Sequence, residues 1–345
     1  MGRKVTSRDV AAAAGVSRSA VSLVLNGRGA GYVSAEKQAE ILRVAKRLHY
    51  TPNSVARSLR MQQTRTIGVV TDAIATNAFG GEVLAGASDA AFVRGYLLLV
   101  VDTQREAARE AAAFEALRAR QVDGLMYAAL SLEPFHAPPI MRSVPSALAN
   151  CYEPDNVVPS FSCDEVSGGR RATELLLEQG HRDIAMLTGT PEMVATHRRV
   201  EGFLAATAAA GVTPRPPVAA GWTLDEGYAA AMALLEDRDP PTGLVCANDR
   251  VAMGVALAAA RLGLSIPADL SIVGYDDDEN VAPCMVPALT TIRLPHYEMG
   301  QHAIQRLLAE IGGDEAAGPE QVLLPCPEVV RDSVSSPSRR RRRPS

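Results

Sequence analysis

At 345 residues, with 47% hydrophobic residues and a formal charge of −4, the chain is long enough for two or three domains around a large core. The leading MGRKVTSRDV has no secretory apolar region and no apolar run approaches a membrane span, so a cytoplasmic protein with no membrane partner is expected. The cysteines at 151, 163, 246, 284 and 326 are odd in number and form no CxxC. That argues against a disulfide framework or a zinc site, and no metal or cofactor is expected.

Charge is divided along the chain. Residues 1–65 hold 12 Lys and Arg against 3 Asp and Glu, a net of +9, and residues 339–343 are five arginines. With the whole chain at −4, residues 66–338 must carry −18. A basic head on an acidic body is what phosphate binding by the head alone requires.

Residues 5–26, VTSRDVAAAAGVSRSAVSLVLN, read as two short helices joined by a tight turn. Thr6 or Ser7 can cap the first, since a side-chain oxygen there accepts a first-turn N–H. Val10, Ala11 and Ala14 share one face, and Gly15 ends the helix because glycine enters the left-handed conformation at little cost. Ser17 caps the second helix, with Val21, Val24 and Leu25 inward and Arg18, Ser19 and Ser22 on the opposite face. The pattern is that of a helix-turn-helix, whose second helix enters the DNA major groove. It also suits a small helical hairpin in any all-α domain; the charge of the head favours DNA.

The loop GRGAGYV leads to a third helix, capped by Ser34, with Ile41, Val44, Ala45 and Leu48 inward. Next, TPNSVARSLRMQ at 51–62 can start at Asn53 and puts Val55, Ala56 and Leu59 on one face. A helix so short is marginal in water, so it is expected to fray alone and to fold on binding.

From Thr66 short β-branched or leucine-rich runs alternate with alanine-rich helical stretches. Strands are expected at TIGVV, YLLLVV, DGLMYA, PSALAN, DIAML, TGLVCA and DLSIVGY. Helices are expected at 82–94, 106–120, 167–179, 198–210, 249–262 and 298–310, with QVLLP and EVVRDS as closing strands. Such alternation implies parallel sheets covered by helices. The expected fold is an α/β core of two doubly wound parallel-sheet lobes behind a small all-α helix-turn-helix head. Ligands in such sheets bind beyond the carboxyl ends of strands, so a small-molecule site is expected in the cleft between lobes. The polar stretch 333–345 is expected to be disordered, its arginines solvated or in weak contact with phosphates.

The assembled order resembles the lactose-repressor/galactose-repressor family of bacterial transcription regulators, from residue 4 to about 332. The specific part is DVAAAAGVSRSAVSLVLN, then VSAEKQAEILRVAKRLHYTPNSVARSL, then TIGVV. RRVEGF at 198–203, VCANDRVAMG at 245–254 and SIVGYDDDENVAPCMVPALTTIR at 271–293 support it. The resemblance implies a dimeric repressor with a periplasmic-binding-protein-like core. Its implied divisions are a head at 1–50, a hinge at 51–65, one lobe at 66–163 plus 293–321, the other at 164–292 plus 322–332, and a basic tail.

It also implies roles for residues. Arg18, Ser19 and Leu23 would face the bases of a half-site, Arg18 being able to pair with guanine O6 and N7. Leu23 stands where the family often has arginine and offers only apolar contact, such as a thymine methyl. Leu59, with Ala56 beside it, would enter the minor groove as a wedge that bends the DNA. Thr6, Ser17, Ser22, Asn26, Tyr50, Asn53 and Arg57 would meet phosphates. Arg199, Asn248, Asp276 and Trp222 would bind the effector, with Asn150, Phe161, Asn77 and Phe79 as further candidates. Arginine donors, aspartate acceptors and an aromatic wall suit a sugar. Plainer roles stand beside these: an Arg199–Asp276 ion pair, a helix cap at Asn248, core packing at Trp222.

The reading is therefore a repressor, most simply of carbohydrate genes, that binds a near-palindromic operator. Purine effectors, a phosphocarrier co-effector and a transporter's solute-binding protein are rivals. An enzyme is not expected: no nucleophile elbow, P-loop or HExxH occurs, and the six histidines are scattered.

Overall fold

The computed structural model describes residues 5–50, 63–74, 78–314, 318 and 320–338. Two compact units divide the chain, Met1–Arg65 and Thr66–Ser345.

The head is built of α1 (Ser7–Ala14), α2 (Arg18–Leu25) and α3 (Ala35–Arg47). Thr6 opens α1 in a capping box: the Asp9 carboxylate accepts both the Thr6 N–H at 2.8 Å and its hydroxyl at 2.7 Å. Gly15 closes α1 at φ 62°, and Ser17 Oγ accepts the Ala20 N–H at 3.1 Å to start α2. The apolar stripes then meet in one core of Val10, Ala11, Ala14, Val21, Val24, Ile41, Val44 and Ala45. The glycine-rich loop is tied down locally. The Gly29 carbonyl accepts the Val33 N–H at 2.9 Å, and Gln38 Nε2 donates to the Val33 carbonyl at 2.7 Å. Residues 51–62, with the hinge candidates Asn53, Ala56, Arg57 and Leu59, lie outside the described residues.

The first lobe holds β1 (Thr66–Thr71), α4 (Ala78–Val93), β2 (Leu97–Asp102), α5 (Ala107–Ala119), β3 (Gly124–Pro134), β4 (Ser146–Tyr152) and β5 (Ser160–Cys163). The chain then enters the second lobe through α6 (Glu165–Glu178), β6 (Ile184–Thr188), α7 (Val194–Ala209), β7 (Val218–Ala219), α8 (Leu224–Leu235), β8 (Gly243–Cys246), α9 (Asp249–Arg261), β9 (Ser271–Asp276) and β10 (Thr290–Arg293). It returns for α10 (His296–Gly312) and β11 (Gln321–Leu324), and crosses again to β12 (Glu328–Val329).

The first sheet runs β11-β5-β4-β3-β1-β2 and is parallel throughout. The second runs β12-β10-β9-β8-β6-β7, with only β12 antiparallel. Parallel sheets need helices on both faces. Along β1, Ile67 and Val69 face a core that contains α4 and α10, while Val70 faces α5.

Three sequence expectations are corrected. The last crossover falls after Leu324 rather than between 321 and 322: Leu324 is buried and pairs with Cys163, and Pro325, lacking an N–H, ends the strand. The preceding one falls after Arg293, which pairs with Asp276 in the second sheet. Residues 333–338 are not a free tail. Ser333 is buried, donates to the Ile272 carbonyl at 2.7 Å and accepts the Thr290 N–H at 2.8 Å. The arginines at 339–343 lie outside the described residues.

Candidate nucleic-acid interface and effector cleft

On the head, α2 presents Arg18 and Ser19 fully to solvent at its first turn, with Ser22 and Leu23 half-exposed. A helix N-terminus with free donors on the outer face is the geometry that touches base edges and phosphates. The other expected contacts have local duties as well. Thr6 and Ser17 are exposed caps, already bonded to Asp9 and Ala20. Asn26 directs its amide to the Ser22 carbonyl and, at 3.4 Å, to Ser22 Oγ, so these two brace the end of α2. Tyr50 is half-buried against the head core.

In the second lobe three expected effector residues come together at the carboxyl ends of the strands, where α/β sheets bind ligands. Arg199 lies in α7, Trp222 after β7, and Asp276 at the end of β9. The packing of α6 on α7 fixes Arg199. A Cβ on Gly169 would lie 2.4 Å from the Arg199 carbonyl oxygen, and one on Gly202 would lie 2.1 Å from that of Val166, so only glycine lets these backbones touch. That approach brings Glu165, at the start of α6, onto the guanidinium. Nε and Nη2 of Arg199 donate to the two Glu165 oxygens at 2.8 and 2.9 Å, and Nη1 donates to the Ala247 carbonyl at 2.7 Å. The guanidinium also lies 3.7 Å over the Tyr275 ring and 5.7 Å from that of Trp222.

The expected Arg199–Asp276 pair is a looser contact, at 4.0 Å. Burial pushes the Asp276 carboxyl well above the ordinary carboxylate value against the pull of Arg199. Burial opposes the charge on Arg199, but Glu165, Tyr275 and Asp276 hold its affinity for the proton above the usual arginine value. Asp276 has φ 109° and Asp277 φ 60°, so the loop turns sharply here through the left-handed region. Trp222 rests its ring on Gly189, where a Cβ would come within 2.0 Å, and donates Nε1–H to Thr190 Oγ1 at 2.9 Å.

Asn248 is the cap of α9. Its Oδ1 accepts the Val251 N–H at 2.8 Å, and its Nδ2 donates to the Trp222 carbonyl at 3.1 Å. Asn150, at φ 55°, spends its amide N–H groups on the carbonyls of Ala129 and Leu130 at 3.0 Å, where the β3–β4 register breaks. Phe161 belongs to the first lobe's core, its ring centroid 6.1 Å from that of His302. These two residues therefore have structural roles, bulge support for Asn150 and core packing for Phe161. Asn77 lies outside the described residues, and so does the side chain of Phe79.

A cavity of about 270 Å³ lies between the lobes, lined by Gly81, Glu82 and Ala85 of α4 and by Asp276, Asp277, Asp278 and Glu279. Glu165 and Tyr275 escape a reading of residue types. Glu165 follows Asp164, which caps α6 through the Ser167 N–H at 3.0 Å, so it passes for an ordinary first-turn acid.

With this geometry in place the chain can be set beside known proteins. Residues 6–53 match the bacterial regulatory proteins of the lacI family, and residues 173–334 a periplasmic binding protein-like domain. The ribose operon repressor of Haemophilus influenzae is 33% identical over 96% of this chain and 99% of its own length. The repressor PurR of Pectobacterium atrosepticum is 33% identical over 89% of this chain and 90% of its own. The chain belongs to the LacI family. Among solved structures, the lac repressor dimer bound to operator and the anti-inducer ONPF superposes with a TM-score of 0.81 at 30% identity, over 96% of this chain and 100% of that one. Like its LacI-family relatives, this protein is a DNA-binding transcriptional repressor, and those relatives are repressors rather than enzymes. No helix among the described residues is long and apolar enough to cross a membrane.

Proposed function

We propose that this repressor acts as a homodimer on carbohydrate genes, and that a small sugar-like effector bound between the lobes sets its grip on a near-palindromic operator. The observation that carries the reading is the convergence of Arg199, Asp276 and Trp222 at the strand ends of the second lobe. A carboxylate can take vicinal hydroxyls while a tryptophan ring supports an apolar sugar face. A purine pocket is less well supported, since the Tyr275 ring is already covered by Arg199 and Trp222 is left as the flat surface.

Exposed apolar surface supports the dimer. Phe92 and Val93 at the end of α4, and Leu97, Leu99 and Val100 on the edge strand β2, are exposed. The second lobe adds Leu257 and Val286. Exposed large apolar side chains gathered on one edge of a sheet and the helix before it suit an interaction site. Two heads would then read two half-sites through Arg18, Ser19 and Leu23. The hinges, through Leu59 and Ala56, would open the minor groove between them, and Thr6, Ser17, Ser22, Asn26, Tyr50, Asn53 and Arg57 would hold the backbone. The effector shifts operator affinity only by its preference for one state, and a hundredfold preference is about 2.7 kcal/mol.

The test is a gel-shift titration on the palindrome nearest the protein's own gene, with a panel of neutral sugars and nucleosides. A sugar that moves operator affinity at least about tenfold supports the reading. A response to purines alone sinks the sugar assignment, and a response to no metabolite sinks the effector switch.

A further inference from the structure

We infer that Glu165 is a specificity-determining residue of the cleft: by holding the Arg199 guanidinium it takes that cation out of a ligand's reach, so the site takes an uncharged polyol and refuses phosphorylated or carboxylate-bearing metabolites. The inference rests on the effector reading of the cleft.

Arginine recognises phosphate and carboxylate through two parallel N–H donors on one edge of its planar fork. In Arg199 the Nε–Nη2 edge already carries a carboxylate in that manner. Nη1 is committed to the Ala247 carbonyl, and one face is covered by Tyr275. An incoming anion would have to displace Glu165. Glu165 is 3% exposed and Arg199 4%, so the displaced carboxylate would lose its bidentate cationic partner inside the protein, a costly state. The pair is built by backbone, since the Gly169 and Gly202 contacts set α6 against α7 and leave Glu165 facing Arg199.

The surroundings add to the exclusion. Asp276 stands 4.0 Å from Nη1, so two carboxyl groups face one guanidinium. The cavity beside it is lined by Asp277, Asp278, Glu279 and, from the first lobe, Glu82. Arg331 is drawn to Asp277 at 2.7 Å and Arg250 to Asp278 at 3.7 Å. These pairs hold both arginines on the protein's own carboxylates, and an anion brought against the remaining acids of the cavity meets like charge, which repels even through a high effective dielectric. Hydroxyl groups suffer no such repulsion and can donate to Asp276.

Trp222 is the single tryptophan and lies 5.7 Å from the guanidinium, so its fluorescence reports on this spot. The experiment titrates the full chain with sodium sulfate, balanced by chloride to constant ionic strength. The native protein should give no saturable response. Glu165→Gln should gain one, binding sulfate at least about tenfold more tightly. Glu165→Asp, which keeps the charge, should stay silent, and that return distinguishes a charge filter from a merely structural role. Saturable sulfate binding to the native protein, or silence in a Glu165→Gln protein that melts cooperatively, overturns the inference.

Should Glu165→Gln fail to fold, the native protein decides. D-ribose and D-glucose are compared with ribose 5-phosphate and glucose 6-phosphate by Trp222 fluorescence and by operator gel shift. Refusal of both phosphorylated compounds supports the filter. A phosphorylated compound that acts as well as its parent removes the filter and leaves the effector reading standing. The effector reading fails separately, when no neutral metabolite alters operator affinity.

Discussion

The candidate recognition helix and the candidate effector cleft use similar residue types in opposite ways. On α2 the side chains proposed to meet DNA stand in water: Arg18 and Ser19 are exposed. Among the proposed effector residues, Arg199, Asn248 and Asn150 are buried and already bonded within the protein. Burial forces this difference, because a polar group out of water must find a partner or pay the desolvation penalty. An exposed arginine can be read by its type; a buried one can be read only together with what holds it.

Arg199→Ala tests that contrast most severely. It strips Glu165 of its guanidinium and leaves a carboxylate 3% exposed with no counter-charge. Losing one member of a buried pair costs about 3–5 kcal/mol, so urea unfolding of the core should move by that amount. A loss under about 1 kcal/mol would mean that the pair behaves like a surface ion pair and that the contrast is false.

Next in size is the pH dependence of the same neighbourhood. His296, at the start of α10, is buried, and burial together with Arg199 pushes its pKa down to about 4. In the unfolded chain it returns to about 6.5. Between those values the unfolded state binds more protons, so this residue's contribution is complete above the unfolded pKa and is lost as pH falls toward 4. The shift corresponds to about 3 kcal/mol. Unfolding of the native protein and of His296→Asn at pH 7.5, 6, 5 and 4 should show a difference that shrinks by roughly that amount on acidification. A constant difference would place His296 in a more polar setting.

How much of this was legible follows the same division. The head could be read almost residue by residue, because Thr6, Gly15, Ser17 and Ser34 act on backbone within a few positions of themselves. The two-lobe alternation was legible too, since most strands are apolar runs. β5, SFSC, was missed because its alternate serines hide a strand that is buried throughout. α8 was missed although Thr223 and Glu226 form a capping box, the one local signal that marks it. Arg199, Asp276 and Trp222 were singled out by resemblance, and the fold brings them together. Glu165 and Tyr275 were not, because their roles arise from the contact of α6 with α7 and from β9, elements far apart in sequence. The structural roles of Asn150 and Phe161 were not legible for the same reason: what they touch is set by a register break and by the packing of α10.

The exposed side of the contrast is tested by Arg18→Ala. Removing a bidentate base contact costs about 1–3 kcal/mol of operator affinity and relaxes the preference at one base pair. Because the side chain is exposed, core stability should stay within about 0.5 kcal/mol of native. Equal losses on operator and on random DNA, measured by fluorescence anisotropy at fixed salt, would reduce Arg18 to a phosphate contact.

Asn248 gives the smallest effect and the finest division. As cap of α9 it occupies Oδ1 with the Val251 N–H and Nδ2 with the Trp222 carbonyl. Asn248→Ala leaves that N–H without its cap and should cost about 0.5–2 kcal/mol in thermal unfolding. Asn248→Asp keeps an acceptor at the helix start, where negative charge is favoured, and should recover most of that stability. The aspartate cannot donate to the Trp222 carbonyl, so it loosens the loop that carries the tryptophan. If Asn248 serves the effector only by steadying Trp222, Asn248→Asp weakens effector binding slightly while stability returns. If its amide touches the ligand as well, both variants lose effector affinity by the same large factor, and stability and binding separate.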